Sequence, residues 1–223
     1  MEIKQFVWDV VDSNSWLLVE NGHGLLFDAI ESEDLFGNIR DIDDLTVVLT
    51  HCHFDHIIGL NKLREIKPDL KVISTQLCSE YIGNPSKNTS NTATAFLGFY
   101  RSGKVTGDGI TPFQCAPSDV TFSDEYSLDW YGHKIFLRSV KGHSADSLIA
   151  IADDKLLFSG DTLLPIPTLT RLRSGSTRAF WEEDIPMLRE MKDIELVYPG
   201  HGKTGMLKEM LEINKMPERY RKL

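Results

Sequence analysis

Cysteine is scarce in this chain: its 223 residues include only Cys52, Cys78 and Cys115, an odd number at scattered spacings with no CxxC pair. That excludes a disulfide framework and a cysteine-based zinc or redox motif, and the expected compartment is a reducing cytoplasm. Basic charge is also thin. Lysine and arginine number 24 against 33 acidic residues, the formal charge is -9, and no basic run exceeds two residues. Phosphate recognition relies on concentrated positive charge, so no nucleic-acid partner is expected. Long apolar runs are missing too: no window approaches the roughly 20 apolar residues of a membrane span. The opening MEIKQFVWDV is interrupted by Glu2, Lys4 and Asp9, unlike a secretory leader. Repeats of fixed period, low-complexity tracts and linkers rich in Gly, Ser or Pro are absent, so one domain over 1–223 is expected. Its 41 % hydrophobic content supports a sizeable core.

What is present is strand pattern in two blocks. IKQFVWDVV, SWLLVE and LLFDAI open the chain, with Asn21-Gly22-His23-Gly24 set like a hairpin turn. LTVVLT at 45–50 is nearly continuous in apolar character, as in a strand buried on both faces, and IIGLNKLREI then has helical spacing that stops before Pro68. KVIST predicts a further strand. The stretch of about 83–119 is rich in turn formers and exposed-looking aromatics and reads as an inserted loop region. VTF, YSLDW, HKIFLRSV, SLIAIA and KLLFSG predict the second strand block, followed by a helix around AFWEEDIPMLREM, a strand at IELVYP and a helix around TGMLKEMLEINKM. Two strand blocks, each with helices after it, imply an α/β fold of two sheets packed face to face with helices outside, an αββα four-layer sandwich.

The chemistry concentrates where LTVVLT ends. His51, His53, Asp55 and His56 follow HxHxDH spacing. In an extended segment alternate side chains share a face, so His51 and His53 can converge on one ion while Cys52 points away. Where the chain turns into a helix, Asp55 and His56 can aim at a second. His143 in VKGHSADS and His201 in YPGHGKTG each follow a glycine at a strand end, and Asp161 in LFSGDTL repeats that form with a carboxylate able to bridge two cations. Ser159 and Thr162 flank this position and are expected to hydrogen-bond the ligands. His23 and His133 lie in turns and receive no role. Cys52 is expected to be a small packing residue under the loop.

The ordered set HxHxDH, GH, GD, GH resembles the metallo-β-lactamase superfamily, and within it the glyoxalase II-like hydrolases, over about residues 15–205. The resemblance implies that His51, His53 and His143 bind one metal and Asp55, His56 and His201 a second, with Asp161 between them. Two zinc ions are the implied cofactors, with iron or manganese as alternatives. It also implies a metal-dependent hydrolase in which a hydroxide shared by two cations about 3.5–4 Å apart attacks a carbonyl of a small ester, thioester or lactone. Asp55 would act as the catalytic carboxylate that orients the water and passes a proton.

Departures from the family narrow the substrate. Asp161 stands where β-lactamases of the superfamily usually carry cysteine. His53 stands where diiron oxygen-reducing relatives carry glutamate. Lactonases carry a tyrosine three residues after the bridging aspartate, a position held here by Leu164. Glyoxalase II proper has an added helical domain, whereas 22 residues follow His201. The alternatives are a mononuclear iron enzyme of the persulfide dioxygenase type, a metal-dependent phosphodiesterase or nuclease, and a metal-bound regulatory or ligand-binding protein. Phe96, Phe99, Tyr100 and Phe113 of the inserted region are expected to shape an apolar pocket mouth, and Arg171 and Arg173 to hold an anionic substrate group. The expected partner is a small-molecule substrate, with no membrane; a homodimer is left open.

Overall fold

The computed structural model describes residues 1–100, 109–170 and 174–216, without the side chains of Phe99 and Tyr100. The chain divides into two compact units, Met1–Ser123 and Asp124–Leu223. Each contains one mixed β-sheet with flanking helices. No helix among the described residues is long and apolar enough to cross a membrane.

The first unit orders its strands as they occur in sequence: β1 (Glu2–Trp8), β2 (Ser13–Glu20), β3 (His23–Phe27), β4 (Leu45–Val48), β5 (Lys71–Thr75) and β6 (Val120–Phe122). β1, β2 and β3 pair antiparallel, and β3 to β6 pair parallel. The β2–β3 hairpin closes through Asn21 and Gly22, both at positive φ, as the Asn-Gly signal predicts. Register aligns Leu17, Leu26, Val47 and Val72 in one row across four strands, all fully buried on one face. Val48 on the opposite face of β4 is equally buried, so this strand is covered on both sides as its apolar run implies.

Helices pack onto the Leu17 face. α1 (Glu33–Arg40) starts where Ser32 Oγ accepts from Leu35 N–H, and buries Leu35, Phe36 and Ile39. The helix read after the histidine cluster is two short pieces, α2 (Phe54–Ile57) and α3 (Leu60–Ile66). α4 (Gln76–Ile82) is capped by Thr75 Oγ1, which accepts from Cys78 N–H. The region expected as an inserted loop is partly helical: a 3₁₀ turn at Ser90–Thr92 leads into α5 (Ala93–Tyr100). Buried Asn88 organises its start, donating to the Ile82 and Phe113 carbonyls and accepting from Ser90 N–H. Turn formers that read as loop therefore supply a side-chain scaffold for a helix.

The second unit's sheet runs β11 (Leu196–Pro199), β10 (Leu156–Gly160), β9 (Leu148–Ala152), β8 (His133–Ser139), β7 (Glu125–Trp130). Only β10 and β11 are parallel. Its helical part comprises α6 (Thr177–Ala179), a π-helical turn (Phe180–Asp184), α7 (Ile185–Glu190) and α8 (Leu207–Ile213). A core of Ile149, Leu157, Phe180, Leu188, Val197 and Met210 lies among these elements. Burying such a side chain contributes roughly 1.5–3 kcal/mol.

Candidate metal centre

Each unit carries one group of predicted ligands on the loops that leave its strands. In the first unit β4 ends at Val48, and the chain passes through Thr50 to His51, His53 and the first turn of α2, which holds Asp55 and His56. All four side chains are buried, with His56 wholly inaccessible. The rings crowd together: His51 and His53 meet edge to face with centroids 4.6 Å apart, and His51 and His56 lie 4.3 Å apart. His51 Nε2 is 3.0 Å from His53 Nδ1, and His56 Nε2 is 3.7 Å from Asp55 Oδ2. Extended spacing thus brings His51 and His53 together as expected. Cys52 turns into the core, where its thiol donates to the Lys87 carbonyl.

Hydrogen bonding to fixed acceptors determines which nitrogen of a ring carries its proton. Asp28, buried just after β3 at φ 61, accepts from Thr50 N–H and Thr50 Oγ1 at 2.7 Å each and from His56 Nδ1 at 2.8 Å. A carboxylate only accepts, so the Thr50 proton is committed to Asp28 and Thr50 Oγ1 must accept from His51 Nδ1, 3.0 Å away. His51 and His56 consequently hold their protons on Nδ1 and present Nε2 lone pairs, the state a metal requires. Asp28, His51 and His56 place potential ligand atoms within 4.8 Å of one another, but the Asp28 oxygens already serve Thr50 and His56. Asp28 holds the His56 ring directly and the His51 ring through Thr50. Its left-handed backbone, which Asp tolerates better than most residues, is held by Asp28 N–H to Val48 O and Ser15 Oγ to Asp28 O.

In the second unit Asp161 follows β10, and its Oδ2 lies 3.5 Å from both His143 Nε2 and His201 Nε2. One carboxylate oxygen equidistant from two imidazoles suits a bridging ligand. His143 Nδ1 lies 2.8 Å from the Leu169 carbonyl, an obligate acceptor, so this ring too carries its proton on Nδ1 and offers Nε2. Glycine before each ligand has a visible cause at two positions. Gly160 sits at φ 48, and a Cβ on Gly142 would lie 2.4 Å from Asp184 Oδ2. That carboxylate accepts from Gly142 N–H at 2.8 Å and grips the turn before His143; burial pushes its pKa up to about 6.

Other sequence expectations have different outcomes. Ser159 donates to the carbonyls of Leu163 and Gly160 and not to a ligand, and the Thr162 hydroxyl has no hydrogen-bond partner among the described residues. Adjacency in sequence misled for Ser159, whose hydroxyl is engaged by the main chain of the turn that follows β10. The supporting contacts come instead from Asp28, Thr50 and the Leu169 carbonyl, all outside the ligand motifs. His23 and His133 open strands and pair with Asp44 and Asp153. Phe96 on α5 is 39 % exposed, with its ring 6.4 Å from Phe54, which in turn meets Trp8. Phe113 is half-buried against the core. The Phe99 and Tyr100 side chains and Arg171 and Arg173 lie outside the described residues.

Oxygen- and nitrogen-donor groups in this number fit divalent first-row metals, and three imidazoles already carry their protons on the outward nitrogen. Known proteins agree with that chemistry. The probable metallo-hydrolase YqgX of Bacillus subtilis strain 168 is 27 % identical over 205 residues, covering 89 % of this chain and 90 % of that protein. A hydroxyacylglutathione hydrolase of Bartonella quintana strain Toulouse is 27 % identical over 210 residues, 92 % of this chain and 68 % of its own. The solved BLEG-1 B3 metallo-β-lactamase matches with a TM-score of 0.75 at 22 % identity, over 96 % of this chain and 98 % of that one, a likeness of fold. With the model of the metallo-β-lactamase superfamily matching residues 8–201, a span that includes every predicted ligand, the chain belongs to that superfamily.

Proposed function

We propose that the chain is a dinuclear metal-dependent hydrolase of small esters, thioesters or lactones. In this reading His51, His53 and His143 hold one ion, Asp55, His56 and His201 a second, and Asp161 is shared. Zinc is the preferred metal, because neutral imidazole and carboxylate suit it and tolerate an open coordination position. The observation that carries the reading is the acceptor set against Nδ1 of His51, His56 and His143, a hydroxyl, a carboxylate and a carbonyl, which favours the Nδ1-protonated tautomer in all three rings. Rings packed for stability alone have no need to present Nε2 lone pairs consistently.

Two bound cations would supply hydroxide at neutral pH and a Lewis acid for a carbonyl oxygen. The chain's own residues do the remainder. Asp28, through Thr50, keeps His51 in one tautomer and, directly, His56. Asp55 lies in the first turn of α2, its main-chain carbonyl accepting from Ser13 Oγ at 3.0 Å, and in this reading its carboxylate accepts a proton from water and returns it to a leaving group. Asp161 presents one oxygen to both histidines of its unit. The hydroxyacylglutathione hydrolase relative favours a thioester among the candidate substrates.

Metal quantification paired with a panel of thioesters, lactones, phosphodiesters and β-lactams tests the proposal. Two zinc equivalents, and thioester or lactone hydrolysis abolished by chelation and restored by zinc, are expected. Protein purified without oxygen that carries one iron and oxidises a persulfide, or a fully loaded protein inert on the whole panel, would overturn it.

A further inference from the structure

Loop 162–170 follows Asp161 and contains Pro165 and Pro167. Neither proline has an N–H, and each biases the preceding residue toward extended backbone, so helical coiling does not satisfy the Leu164 and Ile166 carbonyls. One side chain from a distant element does so. Asn214, 3 % exposed at the C-terminal end of α8, has two Nδ2 hydrogens for three acceptors, the carbonyls of Leu164 (2.8 Å) and Ile166 (3.3 Å) and Met210 O of its own helix (3.0 Å), so one hydrogen is shared. Its Oδ1 accepts from Thr168 N–H at 2.7 Å. The side chain therefore spans both prolines and joins the loop to the helix.

The clamped loop touches all three ligands of its unit. Asp161 precedes it directly. A Cβ on Gly202, next to His201, would lie 2.8 Å from Pro165 Cγ, so the loop packs against that turn. Leu169, one residue beyond the clamped Thr168, provides the carbonyl that accepts from His143 Nδ1. Leu169 itself is 58 % exposed, so little of its own burial holds that carbonyl in place.

We propose that Asn214 is the positioning residue for the second unit's metal ligands: it holds the double-proline loop so that the Leu169 carbonyl fixes the His143 tautomer. The proposal rests on His143 being a metal ligand, and its test has one arm that needs no metal. The full-length chain is made as wild type, Asn214→Ala, Asn214→Asp and Leu188→Ala. The last removes a buried core side chain of the same unit without touching the clamp. Asn214→Asp retains the Thr168 bond but faces carbonyl oxygens with an acceptor.

Long-range ¹⁵N–¹H spectra of the metal-free proteins report the His143 tautomer, and zinc competition against a chromophoric chelator reports affinity. Both Asn214 variants are expected to show mixed His143 tautomers and a 10- to 100-fold loss of zinc affinity, as for other residues that orient ligands. Leu188→Ala should melt as early as Asn214→Ala yet keep the wild-type tautomer and affinity. An unchanged tautomer and affinity in the Asn214 variants overturns the proposal, and so does an equal loss in Leu188→Ala, which would make Asn214 merely structural. Wild type that binds no zinc refutes the metal reading, while the tautomer arm still decides whether the clamp operates.

Discussion

Thr50→Val isolates the proton relay beneath the first ligand group. Valine has nearly the shape of threonine, so the substitution chiefly removes the hydroxyl, and with it the bonds to Asp28 Oδ2 at 2.7 Å and His51 Nδ1 at 3.0 Å. His51 is 1 % exposed, and water cannot replace the lost acceptor. A buried N–H left unsatisfied costs about 1–3 kcal/mol. The ring can avoid that by moving its proton to Nε2, where His53 Nδ1 lies 3.0 Å away and can accept it. Stability of the metal-free protein should therefore fall by no more than about 1–2 kcal/mol, read as a denaturant midpoint shift. Metal affinity must bear the rest, since the lone pair needed for coordination is consumed: a loss on the order of 10- to 100-fold is expected in zinc competition. Thr50→Ser should restore most of the affinity. A Thr50→Val protein that binds zinc within twofold of wild type would refute the relay and the tautomer argument built on it.

Three further outcomes follow from the same geometry. Asp161→Ala should lose hydrolytic activity and one metal equivalent together, by inductively coupled plasma analysis; full activity with two equivalents contradicts the shared-ligand role. The Asp184 pKa is raised from 3.8 to about 6, so the protonated form favours the fold: its contribution is complete below about pH 3.8 and lost as pH rises through about 6, a swing of about 3 kcal/mol. Asp184→Asn should remove that slope from urea-derived stability between pH 4 and 7.5, and parallel pH profiles in the two proteins would refute it. Phe96→Ala removes an edge-to-face contact with Phe54 worth about 0.5–1.5 kcal/mol and should raise KM more for substrates with apolar acyl groups than for acetyl esters. A uniform KM across chain lengths would deny Phe96 a part in substrate selection.

The fold was legible where one periodicity acted alone. The Asn21-Gly22 hairpin and the apolar run Leu45–Val48 have a single low-energy solution each, and both take it. Legibility failed where short polar residues dominate. Asn88 and Ser90 look like loop formers, yet their side chains bond the carbonyls and amides that allow Ala93–Tyr100 to coil. α1 begins at Ser32 with Glu33 and Asp34 in its first turn, a capping signal that was present but followed by only three buried residues. Its short amphipathic face was too brief to stand out.

The candidate ligands stood out in the sequence because coordination imposes residue type and spacing together: only certain side chains ligate, and a strand end delivers alternate ones to a single face. The residues that make those ligands usable obey no such rule. Asp28 must reach Thr50 and His56, 22 and 28 positions along the chain, and Asn214 reaches back 46 positions to Thr168. An acceptor for an imidazole N–H can be a carboxylate, a hydroxyl or a main-chain carbonyl, and all three occur here. Because many groups can do that work, sequence places little constraint on which one does, and only tertiary contact identifies it. The one local sign was Asp28 itself, an acidic residue ending an otherwise apolar strand run, LLFDAI. A charge at the end of a buried strand needs partners, so Asp28 marks in the sequence that such contacts exist, while the fold decides that they are Thr50 and His56.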